Sequence, residues 1–244
     1  MLGTTVPFEY NNGQIIGNRK TLAGSLEYGD PSVQSLTLMA GYTQDNDSLL
    51  GSTGTNALSL AGSSSNTRFA ALKAQKQLND DISLVGMATL ATTDMTSPSN
   101  SIINSANNVN SSSFSISANK KNLFGDDSIS LNIRQPNLVS DGYLSIRLSN
   151  LADSNGNLSY YNKNINLKPT AKQLDYTVSY RKDFEKDIGI SLKHIMTKNL
   201  NHEQNSEIVH ACYLGAKYRD LKFGINTIPG ESALESKLSY TLSF

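Results

Sequence analysis

Apolar and polar side chains alternate with a period of two in segment after segment of this chain, and that pattern restricts it to strands with one apolar and one polar face. Leu36, Leu38, Ala40 and Tyr42 alternate with Thr37, Met39, Gly41 and Thr43. Phe114, Ile116 and Ala118 oppose Ser115, Ser117 and Asn119, and Ile129, Leu131 and Ile133 oppose Ser130, Asn132 and Arg134. The same alternation places Leu144, Ile146 and Leu148 against Ser145, Arg147 and Ser149. It places Leu174, Tyr176, Val178 and Tyr180 against Asp175, Thr177, Ser179 and Arg181. Ile188, Ile190 and Leu192 follow, then Leu221, Phe223 and Ile225, and finally Leu238, Tyr240, Leu242 and Phe244 against Ser239, Thr241 and Ser243. A helical period near 3.6 is almost absent.

Turn-forming residues separate these runs: Gly29-Asp-Pro-Ser32, Asn79-Asp-Asp81, Gly125-Asp-Asp127, Asp141-Gly142, Asn155-Gly156 and Arg219-Asp220. They predict tight hairpins. Two longer stretches, about Gln44 to Asn66 and Asp94 to Asn110, are rich in Ser, Asn, Thr and Gly and nearly free of charge, and are expected to be loops. No shift of composition divides the chain. The expectation is an ill-defined segment over 1–18, or an incomplete first strand, followed by one all-β domain over 19–244.

Alternation alone does not separate a soluble sandwich, a soluble barrel and a membrane barrel. Composition helps. Charged residues make up only 17% of the 244 residues, and Ser, Thr and Asn supply nearly a third. A membrane barrel turns its apolar face to lipid and lines a wet lumen with small polar groups, which keeps mean hydropathy low. No apolar run is long enough for a membrane helix. The 11 Tyr and 7 Phe can supply interfacial girdles, with Tyr28, Tyr42, Phe184 and Tyr218 near strand ends, although Trp is absent. The expected fold is therefore an antiparallel, up-and-down transmembrane β-barrel of about twelve strands, within a range of 12–14. Equal numbers of Lys plus Arg and Asp plus Glu, 21 each, argue against a nonspecific nucleic-acid binder.

The carboxyl-terminal run Leu238, Tyr240, Leu242 and Phe244 resembles the terminal signal of bacterial outer-membrane proteins, whose last aromatic residue the barrel assembly machinery reads. A finer resemblance lies in Asp47-Ser-Leu-Leu-Gly-Ser52, Asn56-Ala-Leu58, Thr67-Arg-Phe-Ala-Ala-Leu72 and Arg134-Gln-Pro136. In this order they look like the carboxy-terminal translocator of autotransporters with subtilisin-like protease passengers, over about Leu26 to Tyr218. The stretch Leu221 to Phe244 departs from that pattern as an extra hairpin. The resemblance implies a monomeric anchor in the bacterial outer membrane, in contact with lipid, the assembly machinery and a passenger polypeptide, and active in type V secretion. A passive, porin-like barrel without passenger is the alternative, and a soluble lipocalin-like binding module is a third.

No catalytic residues, cofactor or metal are expected. None of His194, His202 and His210 lies in a His-Gly-Thr context, and no Gly-x-Ser-x-Gly supplies a nucleophile. The spacing of the histidines by eight favours scattered strand or loop residues over a ligand set. Asp45-Asn-Asp47, Asp80-Asp81 and Asp126-Asp127 lack the spacing of a calcium loop and read as turn chemistry. Cys212, the one cysteine, alternates with Leu214 and Ala216 and reads as a small apolar filler. Lys73, Lys76, Arg134, Arg147, Arg181 and Lys193 are expected on or near polar faces, paired with acids such as Glu27 and Asp175. Counting back from Phe244 puts the tight turns at Asp30, Asp80, Gly125, Phe184 and Arg219-Asp220 on one side, and the long loops after Gln44 and Asp94 on the other. Thr21 to Gly29 then descends, so an ascending strand must precede it. Thr5 to Ile16 is a poor one because of Pro7 and Asn11-Asn-Gly13. With no signal peptide at Met1 either, the chain reads as a cytosolic product, a mature chain or a fragment of a longer one, and the poor first strand points to one shortened at its amino end.

Overall fold

A computed structural model describes residues 19–49, 60–98, 101–152, 155–185, 188–204, 206–218, 221–227 and 234–240. The described residues form one antiparallel sheet of β1 (Arg19–Asp30), β2 (Gln34–Asn46), β3 (Ser64–Gln77), β4 (Ile82–Thr96), β5 (Ile103–Lys121), β6 (Asp127–Ser149), β7 (Tyr160–Asn166), β8 (Leu174–Glu185), β9 (Ile188–Lys198), β10 (Val209–Tyr218), β11 (Leu221–Thr227) and β12 (Leu234–Tyr240). Eleven of these neighbour one another in chain order, and β7 pairs with β6 off that path. The all-β, up-and-down meander is as the alternation predicts. Closure into a barrel is not present among the described residues, where β1 and β12 are unpaired edges. Both edge strands run the same way. Closing this ring antiparallel takes one more strand between them, and the expected one, Thr5 to Ile16, lies outside the described residues.

The connections sort by length onto two ends of the sheet. At one end, three residues join β1 to β2, four join β3 to β4 and five join β5 to β6. Asn79 holds the second of these by accepting the N–H groups of Asp81 (3.0 Å) and Ile82 (2.8 Å) on its side-chain oxygen. Asp127 holds the third, accepting the N–H groups of Leu123 and Phe124 at 2.6 and 3.0 Å. The pairing of Tyr218 with Leu221 puts the β10–β11 turn at this same end.

The other end differs from expectation in two places. Asp141-Gly142 is not a hairpin turn, because β6 runs through it unbroken for 23 residues. Repeated register shifts against β5, between Asn107 and Asn110 and between Ser112 and Phe114, absorb the extra residues as bulges and bend the strand. Gly142 adopts φ +134°, and a Cβ there would lie 2.7 Å from the Val109 Cα, so glycine bends this strand instead of ending it. The expected loop from Asp94 to Asn110 is mostly strand, since β4 continues to Thr96 and β5 begins at Ile103. Bulges erase the period of two, which hid these extensions. β6 thus pairs with β8 over Asp127–Arg134 and, beyond the bend, with β7 over Tyr143–Ser149.

Only at this loop end do the described residues build a packed apolar cluster. Leu60, Met95, Ile103, Ala106 and Val109 are buried there, with Leu49, Val139, Leu144, Ile146 and Leu167 packed against them.

The body of the sheet is a single layer, and its curvature can be read from crowding. Along β2, Leu36, Leu38, Ala40 and Tyr42 are exposed, whereas Ser35, Thr37, Met39 and Gly41 between them are buried or half-buried. Strand glycines sort the same way. A Cβ at Gly24 or Gly86, on the apolar face, would meet nothing within 4 Å. One at Gly41 would lie 2.6 Å from the Phe69 ring, and one at Gly215 2.5 Å from Ser191 Oγ. Side chains converge on the concave face of a curved sheet and spread apart on the convex one, so the polar face is the inner side.

Candidate functional site

The feature with chemical consequence is the pair of faces. Cross-strand registers carry the apolar face from β1 to β10: Leu26, Leu38, Leu72, Ala88 and Phe114 occupy one row. Leu131, Val178, His194 and Cys212 occupy another. Leu26 is 62% exposed, Ile116 59% and Leu90 67%, and no other element of the described residues covers them. A monomer in water rarely leaves more than a few hundred Å² of contiguous apolar surface bare. At the tight-turn end this face is edged by exposed Tyr28, Phe124, Phe184 and Tyr218. Three of the four expected girdle residues therefore share one level, while Tyr42 stands toward the opposite end, its hydroxyl bonded to Asn66.

The inner face carries Ser, Thr, Asn and about half of the described strand charges; those of the outer face, such as Lys20, Lys76, Lys120 and Lys182, stand mostly near strand ends. Glu27, Thr37, Lys73, Met87, Ser115, Arg134, Asp175 and Thr197 form a single row across it. The row gathers the expected partners without joining them. Asp175 accepts hydrogen bonds from Gln173 Nε2 (2.8 Å) and Thr197 Oγ1 (2.9 Å), and among the described residues no ion pair links it to Arg134. The observed ion pair, Arg181 to Asp183 at 3.1 Å, is instead within β8. Lys76 and Arg147 depart from expectation. Lys76 is registered with Leu84 on the apolar side near the tight turn, where a long side chain can reach water. Arg147 lies beyond the bend of β6, its guanidinium 4.4 Å from the Tyr160 ring centre.

The histidines divide. His194 and His210 come together on the apolar face, rings stacked at 5.2 Å with Nε2 and Nδ1 3.1 Å apart. His202 sits in the β9–β10 connection, where its Nδ1 accepts the Gln173 N–H at 2.9 Å. That assigns the proton to Nε2, which donates to the Asn137 carbonyl at 3.1 Å. Among the described residues no three His, Cys, Asp or Glu converge as a metal site. Cys212 is exposed on the apolar face, opposite His194.

The aspartate pairs serve turns. Asp47, at φ 61°, accepts the Gly62 N–H at 2.6 Å. Asp127 is held below the usual carboxylate range chiefly by the Phe124 N–H, with help from the Tyr180 hydroxyl, the Leu123 N–H and the Lys182 charge. Asp30 is lowered by the Ser32 hydroxyl and then by the Ser32 N–H.

Of the expected terminal signal, Leu238 and Tyr240 lie in β12, registered with Phe223 and Leu221. Leu242 and Phe244 lie outside the described residues. A grouping the sequence did not announce is a shallow cavity of about 230 Å³ on the inner face, lined by Ser128, Ser130, Ser179, Arg181, Ser191, Lys193 and Tyr213 among others. Its members come from four strands, and only the register brings them together.

No protein-family model matches the chain, and no curated protein or solved structure matches it.

Proposed function

We propose that this chain is an outer-membrane β-barrel of twelve strands that anchors, and helps export, a passenger polypeptide placed upstream. The observation that carries the membrane part is the uncovered apolar face. It extends over the convex side from β1 to β11, broken by Arg68, Lys76, His194 and His210, while Ser, Thr and Asn crowd the concave side, as a lipid-facing barrel requires. Strands of 10–15 residues in β1–β4 and β8–β10 are long enough to cross the hydrocarbon when tilted. The translocator part rests on the sequence resemblance over Leu26 to Tyr218. In this reading the assembly machinery takes hold of Leu238, Tyr240, Leu242 and Phe244, the barrel works as a monomer in bacterial outer-membrane lipid, and it catalyses no reaction.

The membrane part is tested by partition of the purified chain into detergent, β-rich circular dichroism and heat-modifiable gel mobility. A chain that stays monomeric in water without detergent sinks it. The export part is tested by a small reporter fused upstream of residue 19, behind a signal peptide, with protease accessibility read on intact cells. A reporter left in the periplasm by an inserted barrel rejects translocation and leaves the passive barrel. Deleting Phe244 in the same fusion should leave the protein periplasmic or degraded, and normal surface display would remove the terminal signal from the proposal.

A further inference from the structure

The inner face is divided electrostatically along the strand order. Among its described side chains from β1 to β4 the charged residues are Lys73, Glu27 and Asp45, and the wall between them holds Met39, Phe69, Val85 and Met87. From β5 to β10 it carries five cations, Lys121, Arg134, Arg181, Lys193 and Lys217, against two carboxylates, Asp175 and Asp183. Asp183 is taken up by Arg181, and Asp175 by Gln173 and Thr197. Among the described residues Arg134, Lys193 and Lys217 have no hydrogen-bond or ion-pair partner, which leaves three full charges facing the interior. The hydroxyl-lined cavity sits between them. Its lining places the Ser128, Ser130, Ser179 and Ser191 hydroxyls beside Lys193 and Arg181. Cations with hydroxyl donors around a concave wall attract anions and repel cations, and the opposite wall, with Lys73 beside Glu27 and Asp45, supplies little net countercharge.

We propose that the β6–β10 stretch of the inner face is an anion-binding wall, so that the lumen admits chloride and small oxyanions in preference to cations. This rests on the barrel reading. The occupant it fits is a small anion such as chloride or phosphate, held by Lys193 and the serine hydroxyls beside the Asp183-paired Arg181, with Arg134 and Lys217 supplying the field above and below.

The test is single-channel recording of the full chain in bilayers of neutral lipid, under a KCl gradient. The intact protein should show a reversal potential of chloride-selective sign, and inorganic phosphate should reduce the chloride current. The triple variant Arg134→Gln, Lys193→Gln, Lys217→Gln should lower the chloride-to-potassium permeability ratio by at least about twofold and abolish the phosphate effect. Lys76→Gln, on the apolar face, should leave both unchanged. Heat-modifiable mobility of each variant certifies that it folds. Unselective or cation-selective current from the intact chain overturns the proposal, as does a triple variant with unchanged selectivity. A folded, lipid-inserted barrel that passes no current also overturns it while leaving the barrel standing, and a chain that never enters lipid overturns both.

Discussion

The body of the sheet and its loop end are stabilised by different physics, although the same strands run through both. At the loop end, Met95, Ala106 and Val109 are essentially sealed from solvent, and the cluster is held by the packing and apolar burial that hold any soluble core. In the body, a single layer of strands has no second layer to bury its apolar side chains against. Ladder hydrogen bonds fix its geometry, but among the described residues nothing covers the apolar face. One segment, β5 through β6, passes from the second regime to the first at the bulges around Asn108 and Gly142.

That contrast can be broken most forcefully at Met95. Met95→Ala should cost about 2–5 kcal/mol, and by nearly the same amount in every detergent or lipid, as read from urea unfolding in several amphiphiles. A loss that tracks the amphiphile would show that this cluster is not a water-facing core. Leu131→Arg or Val178→Arg in the body should cost about 2–4 kcal/mol near the bilayer midplane, while Thr177→Arg on the inner face is tolerated. Equal effects on the two faces, measured by reversible unfolding in lipid vesicles, would end the assignment of sides.

A third comparison sharpens the curvature. Gly215→Val forces side-chain atoms onto Ser191 and Tyr213 and should cost about 1–3 kcal/mol, whereas Gly86→Val points into open space and should change stability by no more than about 0.5 kcal/mol. The smallest effect concerns the tight turns, which lie outside the apolar band. Asp30 and Asp127 both have folded pKa values below their unfolded values. Their contribution is thus complete above the unfolded aspartate value, about 3.9, and is lost as pH falls through the lower folded values. Unfolding followed against pH should show stability declining on acidification below that point. Asp127→Asn should flatten part of the decline, and an unchanged slope would remove Asp127 from the account.

Regular alternation made Leu36–Thr43, Ile129–Arg134 and Leu174–Arg181 legible as strands, and turn residues such as Asn79 and Asp127 marked which ends meet tightly. The segment Tyr160–Asn166 was not legible as a strand, because YYNKNIN is exposed on both sides and carries no alternation to announce it. The expected acid–base network on the inner face failed for a related reason. Sequence parity places Arg134 and Asp175 on the same face, but which atoms meet depends on local competition, and Thr197 and Gln173 reach the carboxylate.

By itself, then, the sequence determined the all-β class, the order of most strands, the sides on which Leu and Ser fall, and the end at which the short turns gather. All of these follow from local backbone periodicity and turn chemistry, which require no knowledge of distant contacts. Only the tertiary structure decided that the polar face is the concave one, that β6 changes partner at a glycine bend, and that Lys193, Arg181 and four serines share one cavity. Curvature, bulges and cross-strand register are properties of pairs of strands distant in sequence, and a period of two in one strand does not contain them.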